Sequence, residues 1–290
     1  MLGAIIGDVV GSYYEVLEIE YYRKYKVSRP YEERIKILDK DTPLFTDNCS
    51  CTDDSILTCA IYDAIKNGHG NYEKYLRTYG LMEISNGLDI YGRSRFGKGF
   101  VAWLKNEKEG NSYGNGAAMR ISPVGYLYDN INDVKHESFL ATIPSHNNID
   151  AIKSAEAVAV SIFMLINGIS KNKLKEYIVN NYYNLSFNLE SLQRNYKFSS
   201  KAINSVPQAL FVFFESNDFE DAIRKAISIG GDSDTIACIV GSLAEACYGI
   251  PEQIKKEVKP YLKDYMLDLL SDIYYNDKRK IKCVRSDKND

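Results

Sequence analysis

The apolar positions of this chain recur with the spacing of helices, three and four apart, almost from end to end. Ile56, Leu57, Ala60, Ile61, Ala64 and Ile65 form one such stripe, which Asn67-Gly68 stops. Ala151, Ala155, Val158, Ala159, Ile162, Phe163 and Ile166 form a longer one. Further helices are predicted over 72–82, 99–106, 171–182, 207–215, 219–228, 233–248 and 251–272, with another kinked at Pro123. At the start of the chain Gly3, Gly7 and Gly11 repeat every four residues, giving a helix over 1–15 one bare face along which a neighbouring backbone can pass closely. Residues 16–50 show little periodicity and read as an irregular excursion, a candidate lid. Alternation of the kind a strand needs is absent. The pattern predicts an all-α fold in one compact domain covering 1–290, with helices packed across one another and 277–290 as a flexible tail.

Composition narrows this without redirecting it. A chain of 290 residues, 45% hydrophobic, can bury a substantial core. A net charge of −3 gives no reason to expect nucleic acid or an anionic membrane as partner, and the basic cluster Lys278, Arg279, Lys280, Lys282, Arg285 reads as a solvated terminus. The six cysteines form no Cys-x-x-Cys pair and have no zinc-like spacing with His69, His136 and His146, so they read as reduced, small apolar residues. The apolar start Met1–Ile6 lacks a basic region and meets Asp8 at once, unlike a signal peptide, and no apolar run reaches the ~18 residues of a membrane span. The expectation is a cytoplasmic monomer.

Chemistry concentrates at two helix starts. In Gly230-Gly231-Asp232-Ser233-Asp234-Thr235 two glycines lead into two carboxylates and two hydroxyls, ahead of the apolar Ile236–Val240. In Thr52-Asp53-Asp54-Ser55 the same residue types precede the stripe that begins at Ile56. Either cluster alone could be a helix cap. Paired acids in so short a stretch repel one another unless a cation lies between them, and two such ends facing each other would form a two-metal site of hard oxygen ligands. Asp8 and Glu15, seven apart, share one face of the first helix, and Glu15 could equally be a surface residue. Ser112-Tyr113-Gly114-Asn115-Gly116 could expose successive amides to a phosphate or could be a plain turn, and His146 could be a cap neighbour or a site residue.

Taken in order, Gly3–Glu15, Thr52–Ser55, Tyr113–Arg120, Ser145–Asn147 and Gly230–Ala237 resemble the ADP-ribosylglycohydrolase family, all-helical enzymes that remove ADP-ribose from modified side chains with two magnesium or manganese ions. The resemblance runs over essentially the whole chain. It implies that Thr52, Asp53 and Asp54 hold one side of a pair of Mg²⁺ (or Mn²⁺) ions and Asp232, Asp234 and Thr235 the other. Glu15, Asp53, Asp54 and Asp232 become the catalytic candidates. Ser112, Tyr113, Gly114, Asn115, Gly116, Met119 and His146 would line ADP-ribose. The run Gly7–Glu15 is most similar to the branch that cleaves ADP-ribosyl-serine, while Cys51 and the segment 93–97 depart from the family pattern. The implied partner is an ADP-ribosylated protein, modified on arginine or serine, or a small ADP-ribosyl conjugate. The competing readings are a catalytically inert, ADP-ribose-binding or crystallin-like relative, and an isoprenoid synthase. The synthase reading lacks the later acid of an Asp-Asp-x-x-Asp box.

Overall fold

In the computed structural model, which describes residues 1–274, every regular element is helical. The helices are α1 (Leu2–Tyr25), α2 (Tyr31–Arg34), α3 (Asp53–Asn67), α4 (Tyr72–Ser85), α5 (Lys98–Leu104), α6 (Gly116–Met119), α7 (Ser122–Leu127) and α8 (Ile131–His146). They continue with α9 (Ile149–Ile166), α10 (Lys171–Asn181), α11 (Leu189–Asn195), α12 (Ala202–Phe214), α13 (Phe219–Ser228), α14 (Ser233–Tyr248), α15 (Glu252–Val258) and α16 (Asp264–Tyr274). The all-α expectation holds. Among the described residues, β-type pairing is confined to isolated bridges, Asn111 with His146 and Gly114 with Lys201. The segment 277–290, expected to be a tail, lies outside the described residues.

The longest contact between helices joins α1 to α14, and the glycine repeat is its cause. A Cβ on Gly7 would stand 1.9 Å from the Ala237 carbonyl oxygen, one on Gly3 2.3 Å from that of Gly241, and one on Gly11 2.6 Å from Cα of Asp234. Backbone meets backbone along the whole seam. Both helices are therefore buried there, α14 without interruption from Ser233 to Glu245. The α9 helix, apolar on most of its circumference, packs against α14, α8 and α12 to complete the core.

Several boundaries differ from the sequence pattern for physical reasons. The first helix runs on to Tyr25, because 16–25 contains no glycine or proline, and it ends at Lys26 in the left-handed conformation, whose N–H bonds the Tyr22 carbonyl. The irregular stretch therefore begins ten residues later than periodicity suggested, by subtraction of Glu15 from Tyr25. Helix α8 left no apolar stripe to read, since Ser138, Thr142 and Ser145 fill buried positions alongside Val134 and Ala141. His146 closes this helix, and Asn148 caps the next by accepting from Asp150 N. Pro123 stands in the first turn of a separate helix, α7, instead of kinking a longer one. Helix α12 starts at Ala202 and carries Pro207 inside it, and the helix expected over 251–272 is split by a 3₁₀ turn at Lys259–Tyr261 containing Pro260.

Gly7→Ala should destabilise the protein by about 3 kcal/mol or more, because the added methyl can only be accommodated by parting two buried backbones. Urea unfolding of the variant checks this, and an unchanged midpoint would show that the seam can yield.

Candidate active site and metal centre

Helices α1, α3 and α14 bring their acids to one place. Asp8 of α1 reaches the N-terminus of α3, where Oδ2 accepts from Thr52 N at 2.9 Å and Ser55 N at 3.1 Å, Oδ1 accepts from Thr52 Oγ1 at 2.6 Å, and the Ser55 hydroxyl also donates to Oδ2. Four donors on one carboxylate fix the start of α3 to α1. Thr52 is the N-cap, accepting from Asp54 N, so neither aspartate of α3 is needed for capping. Asp232 stands at the N-cap position of α14 but makes no capping bond. Its Oδ2 instead accepts from Asn115 Nδ2 at 2.7 Å.

The approach to α14 is set by Gly230 and Gly231, both in the left-handed region (φ 72° and 75°). A side chain on Gly230 would strike Arg34 at 2.6 Å and one on Gly231 would strike Tyr196 at 2.6 Å. Arg34 is almost wholly buried. It donates Nε and Nη2 to the two oxygens of Glu18 at 2.9 Å each, and Nη1 to the carbonyls of Gln193, Tyr196 and Ile229. This clamp ties α1 and α11 to the turn that presents Asp232 and Asp234.

Across the gap, Thr235 Oγ1 lies 3.4 Å from Asp54 Oδ2, so the two acidic helix starts face each other. Ligand atoms of Asp8, Asp54 and Asp234 lie within 4.8 Å of one another, as do those of Glu15, Asp232 and Asp234. Asp234 belongs to both groups. Buried Asp54 Oδ1 has no hydrogen-bond partner. An orphaned carboxylate oxygen and a set of hard oxygen donors fit divalent cations such as Mg²⁺ or Mn²⁺. Asp8, with both oxygens occupied by α3 donors, acts as the organiser.

Burial and mutual repulsion shift these groups together. Glu15 is raised to about 9, first by burial and then by Asp234, against the opposing pull of Arg93, whose Nη1 lies 3.8 Å from Glu15 Oε2. Asp53 rises to about 7 through burial and then Asp8, and Asp232 to about 7 through burial and then Glu15. Asp54 is pushed well above the ordinary carboxylate range by burial and then by Asp234, and Asp234 by burial and then by Asp232.

The cluster forms the floor of a 440 Å³ cleft. Ser112, Gly114, Asn115, Gly116, Met119 and His146 line its wall. Thr52 faces an adjoining pocket with Asp53 and Asp234. Tyr113 is the exception, half-exposed and turned out of the cleft, with Lys201 Nζ 5.6 Å from its ring centre. The loop is held by Asn115 N donating to Ser200 O at 2.9 Å and Ala202 N to Tyr113 O at 3.1 Å. Asn115, expected beside ADP-ribose, has its carboxamide on Asp232, which couples this wall to the acids. His146 accepts or donates through Nδ1 with Ser145 Oγ at 2.8 Å, while burial and then Arg120 hold its pKa well below the ordinary value, leaving the ring neutral.

Two residues escaped the sequence reading of the site. Asp8 was visible by its spacing from Glu15, but its binding of α3 was not. Arg120 follows Met119 in the glycine-rich motif and is fully buried, donating Nη2 to Ser145 Oγ at 2.7 Å while Nε and Nη1 have no partner. Its charge opposes that of Asp53, although burial still lowers its pKa to about 9. Phe100, Trp103, Lys98, Lys108 and Phe198 also line the cleft, brought in from α5 and from loops that carry no motif.

The all-helical frame brings two acidic helix starts face to face beside a glycine-rich loop, and similarity to known proteins places that frame in a family. The sequence profile described as ADP-ribosylglycohydrolase matches residues 1–281, so the chain belongs to that family. It is 32% identical over 155 residues to an uncharacterized protein of Archaeoglobus fulgidus, a match covering 48% of this chain and about half (51%) of the relative's length. It is 24% identical over 281 residues to ADP-ribosylarginine hydrolase Tri1 of Pseudomonas putida, covering 88% of this chain and 72% of that protein. Among solved structures, an ADP-ribosylglycohydrolase-related protein complex superposes with a TM-score of 0.62 at 20% identity, covering 92% of this chain and 94% of the other, which supports the fold. No helix among the described residues is long and apolar enough to cross a membrane.

Carboxyls with native pKa values above their unfolded ones retain protons in the fold, so stability is fullest at low pH and is lost as pH rises towards the native values. With EDTA present, the melting temperature should fall by several degrees between about pH 5.5 and about pH 8, the interval that contains the shifts of Asp53 and Asp232 to about 7. A melting temperature that rises over this interval would contradict the electrostatics of the cluster.

Proposed function

We propose that this protein is a metal-dependent ADP-ribosyl hydrolase that removes ADP-ribose from arginine or serine side chains of modified proteins, or from related small conjugates. The observation that carries the reading is the meeting of Glu15, Asp54, Asp232 and Asp234, from three helices, on the floor of a cleft walled by the Ser112–Gly116 loop. The cleft volume lies inside the range of about 300–1,000 Å³ usual for small-molecule sites. Tri1, by its name, acts on ADP-ribosylarginine, which supports ADP-ribose as the group recognised.

In this reading Thr52, Asp53, Asp54, Asp232, Asp234 and Thr235 hold two divalent ions. Bound there, such ions would supply charge that stabilises the developing transition state and would activate a water. Cleavage at C1″ of the ribose builds oxocarbenium character, which the surrounding carboxylates offset. Glu15 manages the proton of the attacking water at Oε1 or Oε2, a role its place beside the cluster favours. Asn115 fixes Asp232 and thereby links the loop that would receive the diphosphate to the acids. Neutral His146 offers one ring nitrogen to the substrate without adding a charge.

Release of free ADP-ribose from defined ADP-ribosyl-arginine and ADP-ribosyl-serine peptides, with Mg²⁺, Mn²⁺ or EDTA, tests the reading. Release should require divalent metal. Its absence from both peptides at full metal occupancy, with ADP-ribose still bound, would leave an inert relative instead. Glu15→Gln should lower turnover by about 10²–10⁴-fold with ADP-ribose binding nearly intact by calorimetry. Near-normal turnover would remove Glu15 from the mechanism. Asp234→Asn should weaken metal binding and turnover together, because Asp234 is shared by both acidic groups and a neutral amide is a poorer ligand for a hard cation. Unchanged Mn²⁺ affinity in this variant would exclude Asp234 as a ligand.

A further inference from the structure

A second groove, 840 Å³, opens beside the acidic cleft between the last turn of α1, the segment 26–31 and the stretch after α11. Arg23, Lys26, Arg29, Arg194 and Lys197 line it. Its one lining acid is Glu18, whose two oxygens are both taken by Arg34. Arg29 is paired with Glu33 at 3.6 Å and Arg194 with Glu190 at 2.7 Å. Arg23, Lys26 and Lys197 are exposed and make no ion pair among the described residues. Between these cations stand exposed apolar surfaces, Tyr22 (57%), Val27 (57%) and Phe198 (51%). Arg194 lies over the Tyr31 ring at 3.8 Å.

Such a concentration of one sign stands out in a chain of net charge −3. Like charges gathered around a groove repel one another and raise the local concentration of anionic ligands. The groove also adjoins the cleft. Phe198 lines both, and Ile19 and Arg23 are shared with the adjoining pocket that contains Glu15, Asp53 and Asp234. A chain lying in the groove would have its end at the carboxylate cluster.

The chemistry of the groove selects among anionic partners. The C-terminal turn of α1 enters it, and free carbonyls at a helix end accept backbone N–H groups. On the hydrolase reading the cleft holds a modified side chain of a polypeptide, and the chain that continues from it into the groove brings carboxylates to these cations and apolar side chains to Tyr22, Val27 and Phe198. We propose that this groove holds an acidic segment of the polypeptide that carries the ADP-ribose, flanking the modified side chain. The proposal rests on the hydrolase reading above for what the cleft holds. It adds a preference for acceptors in acidic sequence surroundings.

The test combines binding without turnover and turnover without the groove. A fluorescent glutamate-rich peptide bearing no ADP-ribose, a neutral peptide of equal length and a single-stranded RNA are titrated by anisotropy against the wild type and the double variant Lys26→Glu, Lys197→Glu. Both side chains line the groove alone, exposed and without an ion pair among the described residues, and an unchanged melting temperature verifies the fold of the variant. The wild type should bind the acidic peptide about tenfold more tightly than the neutral one, and the variant should lose that preference. With ADP-ribosylated peptides, the variant should raise KM for the acidic-flanked substrate about tenfold at unchanged kcat, leaving a free ADP-ribosyl amino acid unaffected. Equal affinity for the two peptides, or a preference that survives charge reversal, overturns the proposal. RNA binding tighter than the acidic peptide and lost in the variant also overturns it and assigns the groove to nucleic acid. Failure of the hydrolase reading would be distinct, since no conjugate would release ADP-ribose while the anisotropy result stood.

Discussion

The contact on which this structure depends is the passage of α1 over α14 at backbone distance. At Gly3, Gly7 and Gly11 the two main chains leave no room for a Cβ, and this closeness is functional as well as architectural. Gly11 lies against Asp234, one turn from Glu15, so the seam that builds the core also sets the distance between the proton-handling candidate and the acids of α14. A larger residue at Gly11 would separate the core and the site together.

That closeness creates an electrostatic cost. Carboxylates from three helices are buried around a shared gap, each raising the pKa of others, and Asp54 Oδ1 is left without a donor. Such an arrangement is stable only when protons or cations offset the charge. The surroundings supply rigid positive or donor groups at its edges: Asn115 on Asp232, Arg120 opposite Asp53, and Arg93 near Glu15. None reaches the centre, where ligand atoms of Asp234 and its neighbours converge. The fold thus gathers the repulsion where converging carboxylate oxygens would suit a cation.

Charge is divided between two adjoining regions of the surface. The cleft gathers acids, and the groove beyond α1 gathers bases, with Phe198 and Arg23 at the boundaries. Both regions hang on the Arg34–Glu18 clamp, which holds α1 and α11 beside the turn at Gly230-Gly231. Removing either partner alone would leave the other's charge buried and unpaired and displace the walls of both.

The all-helical fold was legible because helix periodicity and glycine spacing are local properties written directly in the residue order. So were the two acidic helix starts, since two carboxylates beside hydroxyls exceed what a cap requires; the structure shows Thr52 doing the capping at α3 and Asp232 declining to do so at α14. Helix α8 was illegible because serine and threonine fill its core face and erase the apolar stripe. Pairing lay further from reach. That Asp8 would hold the start of α3, that Asn115 would reach Asp232 across 117 positions, and that a buried Arg120 would face Asp53 are consequences of how helices cross. The same holds for the basic groove, whose cations come from two segments about 170 residues apart, roughly the separation of Arg23 and Arg194. Sequence determined which groups were available and where the two acidic helix starts would fall; only tertiary packing decided which of them would meet, because the distances that govern charge and coordination are set between elements rather than along the chain.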